Sequence, residues 1–310
     1  MKTAKTLQRG IGVVSTGAPL PKDRSIKGQS NIESLGYSYL APLEPYKYYG
    51  DYTHGFSNGS ADERLESINA VLDNPACDVL LAARGATGSL DIISDFPFKK
   101  LGSERKLLIG QSDVTALLVQ IPTRSNLFAI HGPTLGAEFA DYHEKDYAKE
   151  SVDTLIKLIS DPTFKYSLSG TQIKVSEPKT GTLLAGNLTM FISLLGTPFE
   201  PDFSNAILVL EEVGEAPYRV ERALTQLFLA GKFDSLSGLC FGRFSKCESS
   251  HGPSIEEVMM KFIANRLSSS TYPILSNLQV GHWGASMPIP IGCKAKIHEG
   301  VLHVLESPVQ

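Results

Sequence analysis

The chain has 310 residues, enough for two domains or one large α/β domain. Its composition, 42% hydrophobic and 20% charged, is that of a globular protein, and a net charge of −4 leaves no basic surface for nucleic acid or anionic lipid. Cys77, Cys240, Cys247 and Cys293 are scattered, with no C-x-x-C, which suits a reducing compartment and argues against a disulfide framework or a zinc site.

The basic N-terminus runs into a short apolar stretch at 11–14, too brief for a signal peptide and better read as a first β-strand. No other stretch is long and apolar enough to span a membrane. A helix is expected over about 23–35 and a strand at 37–40. An aromatic, glycine-rich loop follows, Tyr46 to Phe56, readable as a substrate-side loop or as ordinary packing. Ser60-Ala-Asp-Glu63 is a capping box, opening a helix with Leu65, Ile68, Val71 and Leu72 on one face. A buried strand at 78–82 leads into the turn Arg84-Gly85-Ala86-Thr87-Gly88, which can present N–H groups to an oxyanion.

The apolar run Leu107-Leu108-Ile109 ends at Gly110, and Ser112 stands before a helix expected at 113–121. Strand, tight turn and helix form the setting of a nucleophile elbow, although Val114 replaces the second Gly of G-x-S-x-G. The same residues allow Ser112 to be simply the helix N-cap. With a further strand at 126–130, residues 1–150 read as a doubly wound parallel sheet domain. Residues 151–177 read as a linker, and 178–310 as a β-rich α/β domain. There the apolar strand at 206–210 ends at Glu211, a helix starts at Pro217, and another is capped by Ser254 with Glu257. A strand reaches Gly281-His282, and the chain ends in a β-hairpin. A serine nucleophile needs a base and a group to orient it. His131 and His282 follow strands, whereas His54, His143 and His251 lie in polar loops and His298 and His303 on the hairpin. Glu211, at a strand end, is a candidate orienting acid, or merely a strand-end carboxylate.

Several motifs in order resolve this choice. Ala83-Arg-Gly-Ala-Thr-Gly88, Gly110-Gln-Ser-Asp-Val-Thr115, His131-Gly-Pro133, Ala185-Gly-Asn-Leu188, Leu210-Glu-Glu-Val-Gly-Glu-Ala-Pro-Tyr-Arg-Val-Glu-Arg222, Gly281-His282 and Pro290-Ile-Gly292 together resemble the LD-carboxypeptidase family of serine peptidases. That family includes murein tetrapeptide carboxypeptidases and microcin C self-immunity proteins. The resemblance implies a Ser–Glu–His triad of Ser112, Glu211 and His282, with the active site between the two domains. It also implies an oxyanion hole from the N–H groups of Gly85 and Asp113. Arg84, Asn187, Arg219 and Arg222 are the candidates for binding substrate. The implied reaction releases D-alanine from a cytoplasmic murein tetrapeptide during peptidoglycan recycling. The protein would be a homodimer acting on a small peptide, without metal or cofactor, nucleic acid or membrane. An immunity-type amidase acting on peptidyl or aminoacyl nucleotides, and an inactive binding protein, are the alternatives. Two positions depart from the family pattern: Ala86-Thr87 where Gly-Tyr is usual, and Glu212 where Asp is usual.

Overall fold

A computed structural model describes residues 1–282, 284 and 287–310. Five strands lie in the first 164 residues: β1 (Gly10–Val14), β2 (Ser38–Leu40), β3 (Val79–Ala82), β4 (Leu107–Gly110) and β5 (Ala129–His131). They are followed by β6 (Tyr166–Ser169), β7 (Thr171–Lys174), β8 (Thr180–Asn187), β9 (Ala206–Val213), β10 (Gly238–Ser245), β11 (Ile274–Ser276), β12 (Ile289–Ile291), β13 (Lys294–His298) and β14 (Val301–Val304). The chain divides into two compact units. One is Met1–Phe164 with Ser286–Gly292 and Ser307–Gln310; the other is Lys165–Ala285 with Cys293–Glu306.

The first unit is built on a sheet ordered β12-β5-β4-β3-β1-β2. β1 to β5 run parallel, and every residue of β1, β3, β4 and β5 is buried, which is why these strands read as unbroken apolar runs. The sixth strand, β12, pairs antiparallel with β5. It comes from the far end of the chain, and only this long-range pairing, not the local sequence, assigns it to the sheet. Helix Ala61–Asp73 begins at the expected capping box, with both reciprocal bonds formed. The helix expected at 113–121 is broken. Ser112–Val114 is a 3₁₀ turn, Thr115–Leu118 and Ile121–Arg124 are separate helical turns, and Pro122, with no N–H to donate, enforces the break.

The second unit carries an eight-stranded sheet, β6-β14-β13-β8-β9-β10-β11-β7. Its centre, β8 to β11, is parallel, and its flanks are antiparallel. Residues 151–177, read as a linker, are structured: they hold most of helix Asp146–Ser160 and the strands β6 and β7. The helix matches the one the sequence suggests over 148–159, and β7 the alternating stretch at 171–175; β6 and β7 are the edges of the sheet. All four cysteines are free and buried. No helix among the described residues is long and apolar enough to cross a membrane.

Candidate active site

In parallel sheets, ligand-binding groups collect at the carboxyl ends of the strands, around the point where strand order reverses. In the first unit that point lies between β1 and β3. The turn after β1 is tied to the turn after β3 by the Ala18 N–H, which donates to the Gly85 carbonyl at 3.0 Å. The turn after β4 carries Ser112.

Ser112 does not cap a helix. Gln111 occupies the cap position, and Ser112 has φ of 63°, in the left-handed region. This is the strained conformation that an exposed nucleophile on a strand-to-helix turn adopts. The N–H of Asp113 lies in the first turn, where its own helix offers no acceptor. Gly85 faces this turn closely: a Cβ at that position would lie 2.7 Å from the Ser112 Cβ and 3.1 Å from the Asp113 nitrogen. Only a residue without a side chain lets the two turns approach this far.

Two side chains hold these turns, that of Asp113, expected only for its N–H, and that of Arg64, outside the expected set. The Asp113 carboxylate accepts the Ser89 N–H at 2.8 Å, and burial raises its pKa above the usual carboxylate range. Arg64 is buried on the apolar stripe of helix Ala61–Asp73. Its Nη1 donates to the carbonyls of Thr16, at 2.7 Å, and Gly88, at 2.8 Å, bolting the turns after β1 and β3 together. An arginine in register with Ile68, Val71 and Leu72 was the signal for this role.

In the second unit, Glu211 lies near the end of β9, fully buried, and His282 follows Val280. Glu211 Oε2 and His282 Nδ1 are 2.7 Å apart. The imidazole is mostly enclosed, and its Nδ1 is the nitrogen that faces the carboxylate. β10 holds the histidine segment in place. The Arg243 N–H donates to the Val280 carbonyl at 2.7 Å, and the Ser245 hydroxyl donates to the His282 carbonyl at 2.8 Å. A Cβ on Gly242 would lie 2.3 Å from the Val280 oxygen, so this approach also needs a bare Cα. Trp283, read with Gly284 as the start of a loop, lies outside the described residues.

The other candidates fall in different settings. Asn187, opposite Glu211 in the β8–β9 register, is buried; its Oδ1 caps helix Leu188–Leu194 through the Met190 N–H, and its Nδ2 donates to Glu212. That makes it part of the scaffold. Glu212 also accepts from the N–H and hydroxyl of Thr189 and from the Val213 N–H. Burial raises the Glu212 pKa, and the Glu211 charge adds to the shift. The longer side chain at the position where the family usually has Asp reaches the start of helix Leu188–Leu194. Arg219 and Arg222 lie on helix Pro217–Leu229 around the exposed Tyr218, Arg219 also pairing with Glu215 at 3.4 Å. Arg84 is exposed, with Nη1 donating to the Pro19 carbonyl at 3.0 Å. His131 is buried at the end of β5. Among the described residues, no group of three or more His, Cys, Asp or Glu side chains could hold a metal ion.

Residues 11–132 match the LD-carboxypeptidase N-terminal domain, and residues 180–297 match the LD-carboxypeptidase C-terminal domain. A putative carboxypeptidase of Synechocystis sp. is 33% identical over 246 residues, 78% of this chain and 77% of that protein. A probable murein peptide carboxypeptidase of Bacillus subtilis is 30% identical over 299 residues, 95% of this chain and 91% of that protein. Among solved structures, the microcin C7 self-immunity protein MccF in complex with glutamyl sulfamoyl guanosine superposes with a TM-score of 0.87 at 20% identity, over 99% of each chain. The chain belongs to the LD-carboxypeptidase family of peptidases.

Proposed function

We propose that the protein is a serine carboxypeptidase that cleaves the amide between an L-centre and the terminal D-alanine of a murein tetrapeptide. The observation that carries this reading is the 2.7 Å bond from a buried Glu211 to His282, in a chain whose other unit holds Ser112 in a strained turn. The Ser112 Oγ attacks the scissile carbonyl, and His282 Nε2 takes its proton. Glu211 fixes the imidazole tautomer and stabilises the imidazolium. The N–H groups of Asp113 and Gly85 receive the oxyanion. As the C–N bond breaks, the imidazolium returns the proton to the departing amine. Water then cleaves the Ser112 ester by the same route, giving the shortened peptide acid and free serine.

The B. subtilis relative's name supports the murein substrate. The test is release of D-alanine from purified murein tetrapeptide. Ser112→Ala should lower kcat on the order of a million-fold, and His282→Ala comparably. Full activity in Ser112→Ala would rule out this mechanism.

A second reading, an amidase acting on aminoacyl nucleotides, is supported by the likeness to MccF with its sulfamoyl guanosine ligand. Amine release from a glutamyl sulfamoyl nucleoside, with tetrapeptide left intact, would favour it.

A further inference from the structure

Beside the Gly85 turn the first unit has a groove of about 460 Å³. One side is formed by Arg84, Ala86 and Thr87, from the turn whose Gly85 packs on Ser112; the other by Tyr48, Tyr49, Tyr52 and Phe56 of the aromatic loop. Tyr52 and Phe56 are 71% and 72% exposed, far more than rings that serve only packing. The loop is nevertheless held in place: the Tyr48 hydroxyl donates to Glu63 at 2.7 Å, and the Tyr48 N–H to Asn58 at 3.2 Å. Among the described residues lining the groove, Arg84 is the one cation. One guanidinium N–H is spent on Pro19, and the fork is otherwise open for a carboxylate. Asp51 also lines the groove, but its carboxylate is engaged by the N–H and hydroxyl of Thr53.

A carboxypeptidase must recognise the free carboxylate next to the scissile bond, and an arginine one residue before the glycine packed on Ser112 carries the charge for it. The volume falls in the range of clefts that take whole small ligands, far more than one methyl side chain fills. Resting on the serine carboxypeptidase reading, we propose that this groove is the subsite for the substrate's C-terminal residue. Arg84 reads its carboxylate, and the tyrosine and phenylalanine walls take a bulky ring. The protein then releases aromatic D-amino acids at least as well as D-alanine.

The experiment compares otherwise identical tetrapeptides ending in D-Ala, D-Phe or D-Trp, together with the C-terminal amide of the D-Phe peptide. The expected kcat/KM for D-Phe and D-Trp equals or exceeds that for D-Ala. The amide should be at least about 100-fold poorer than the acid, and Arg84→Gln should abolish that difference. Cleavage of the D-Ala peptide with the aromatic ones tenfold or more slower would overturn the subsite while leaving the carboxypeptidase reading intact. So would an acid-to-amide ratio unchanged in Arg84→Gln. If no peptide is cleaved, the carboxypeptidase reading fails and binding decides the groove. Calorimetry on Ser112→Ala protein should then show saturable binding of D-Trp, weakened at least tenfold by Phe56→Ala and by Arg84→Gln. No binding, or binding that neither substitution alters, overturns it.

Discussion

Gly85 and Ser112 sit so close that a methyl on the first would lie 2.7 Å from the Cβ of the second. Two turns at neighbouring strand ends are fitted together here, and on the proposed mechanism their N–H groups receive the oxyanion of the tetrahedral intermediate. Gly85→Ala must push the nucleophile turn or its own N–H out of place. The expected loss in kcat is about 100–1,000-fold, the usual cost of one oxyanion donor. Overpacking should also cost about 1–3 kcal/mol of stability. Steady-state kinetics with a denaturation curve separates the two; an unchanged kcat would remove Gly85 from the site.

Ala86 and Ser112 both carry positive φ, 73° and 63°. The left-handed region costs a residue with a Cβ about 1–2 kcal/mol, and glycine returns part of that through its freer unfolded chain. Ala86→Gly is therefore expected to stabilise the protein by up to about 1 kcal/mol and keep activity within a few-fold. Ser112→Gly should stabilise it similarly and abolish turnover, strain being retained where function needs it. Urea unfolding of the two variants checks this. Destabilisation by both would mean that neither backbone is strained.

Much of this arrangement was legible in the sequence. Buried parallel strands announced themselves as apolar runs, and the capping boxes at Ser60 and Ser254 located two helices to the residue. Strand-end position made Glu211 and His282 candidates, with His131 beside them; the family resemblance chose the pair, and the structure brings the two together. What was hidden depends on long-range pairing or on torsion angles. β12 joins a sheet whose other strands lie more than 150 residues earlier. Ser112 looked like a cap because serine is chemically suited to one; its left-handed φ is set by the turn and by Gly85, not by residue type. Asn187 reads in the sequence equally as a substrate contact or as a structural hydrogen-bond partner; in the structure its side chain bonds Glu212 and caps helix Leu188–Leu194.

Ser245 acts on His282 through its backbone. Its hydroxyl is the donor that fixes the His282 carbonyl at the end of β10. Ser245→Ala removes one hydrogen bond, a loss of about 1 kcal/mol in imidazole placement, so kcat should fall about fivefold. KM should not change, because the hydroxyl does not face substrate on this reading. Ser245→Thr retains the hydroxyl and should restore the rate. A fall in stability with kcat intact would assign Ser245 to the scaffold alone.

Glu212 offers a test that needs no substrate. Its folded pKa is raised by burial, with a further push from Glu211, so between the unfolded carboxyl value and the raised value the native state holds the extra proton. Stability from this group is fully present below the unfolded pKa, about 4.3, and is lost as pH rises through the folded one. In Glu212→Gln the titration is absent. The stability difference, wild type minus variant, should therefore decline as pH rises from about 4 toward neutrality, with a slope no steeper than about 1.4 kcal/mol per pH unit. Urea denaturation at closely spaced pH values measures it. A difference that grows with pH would mean that Asn187, Thr189 and Val213, by donating to the charged form, outweigh burial, and that Glu212 is ionised throughout.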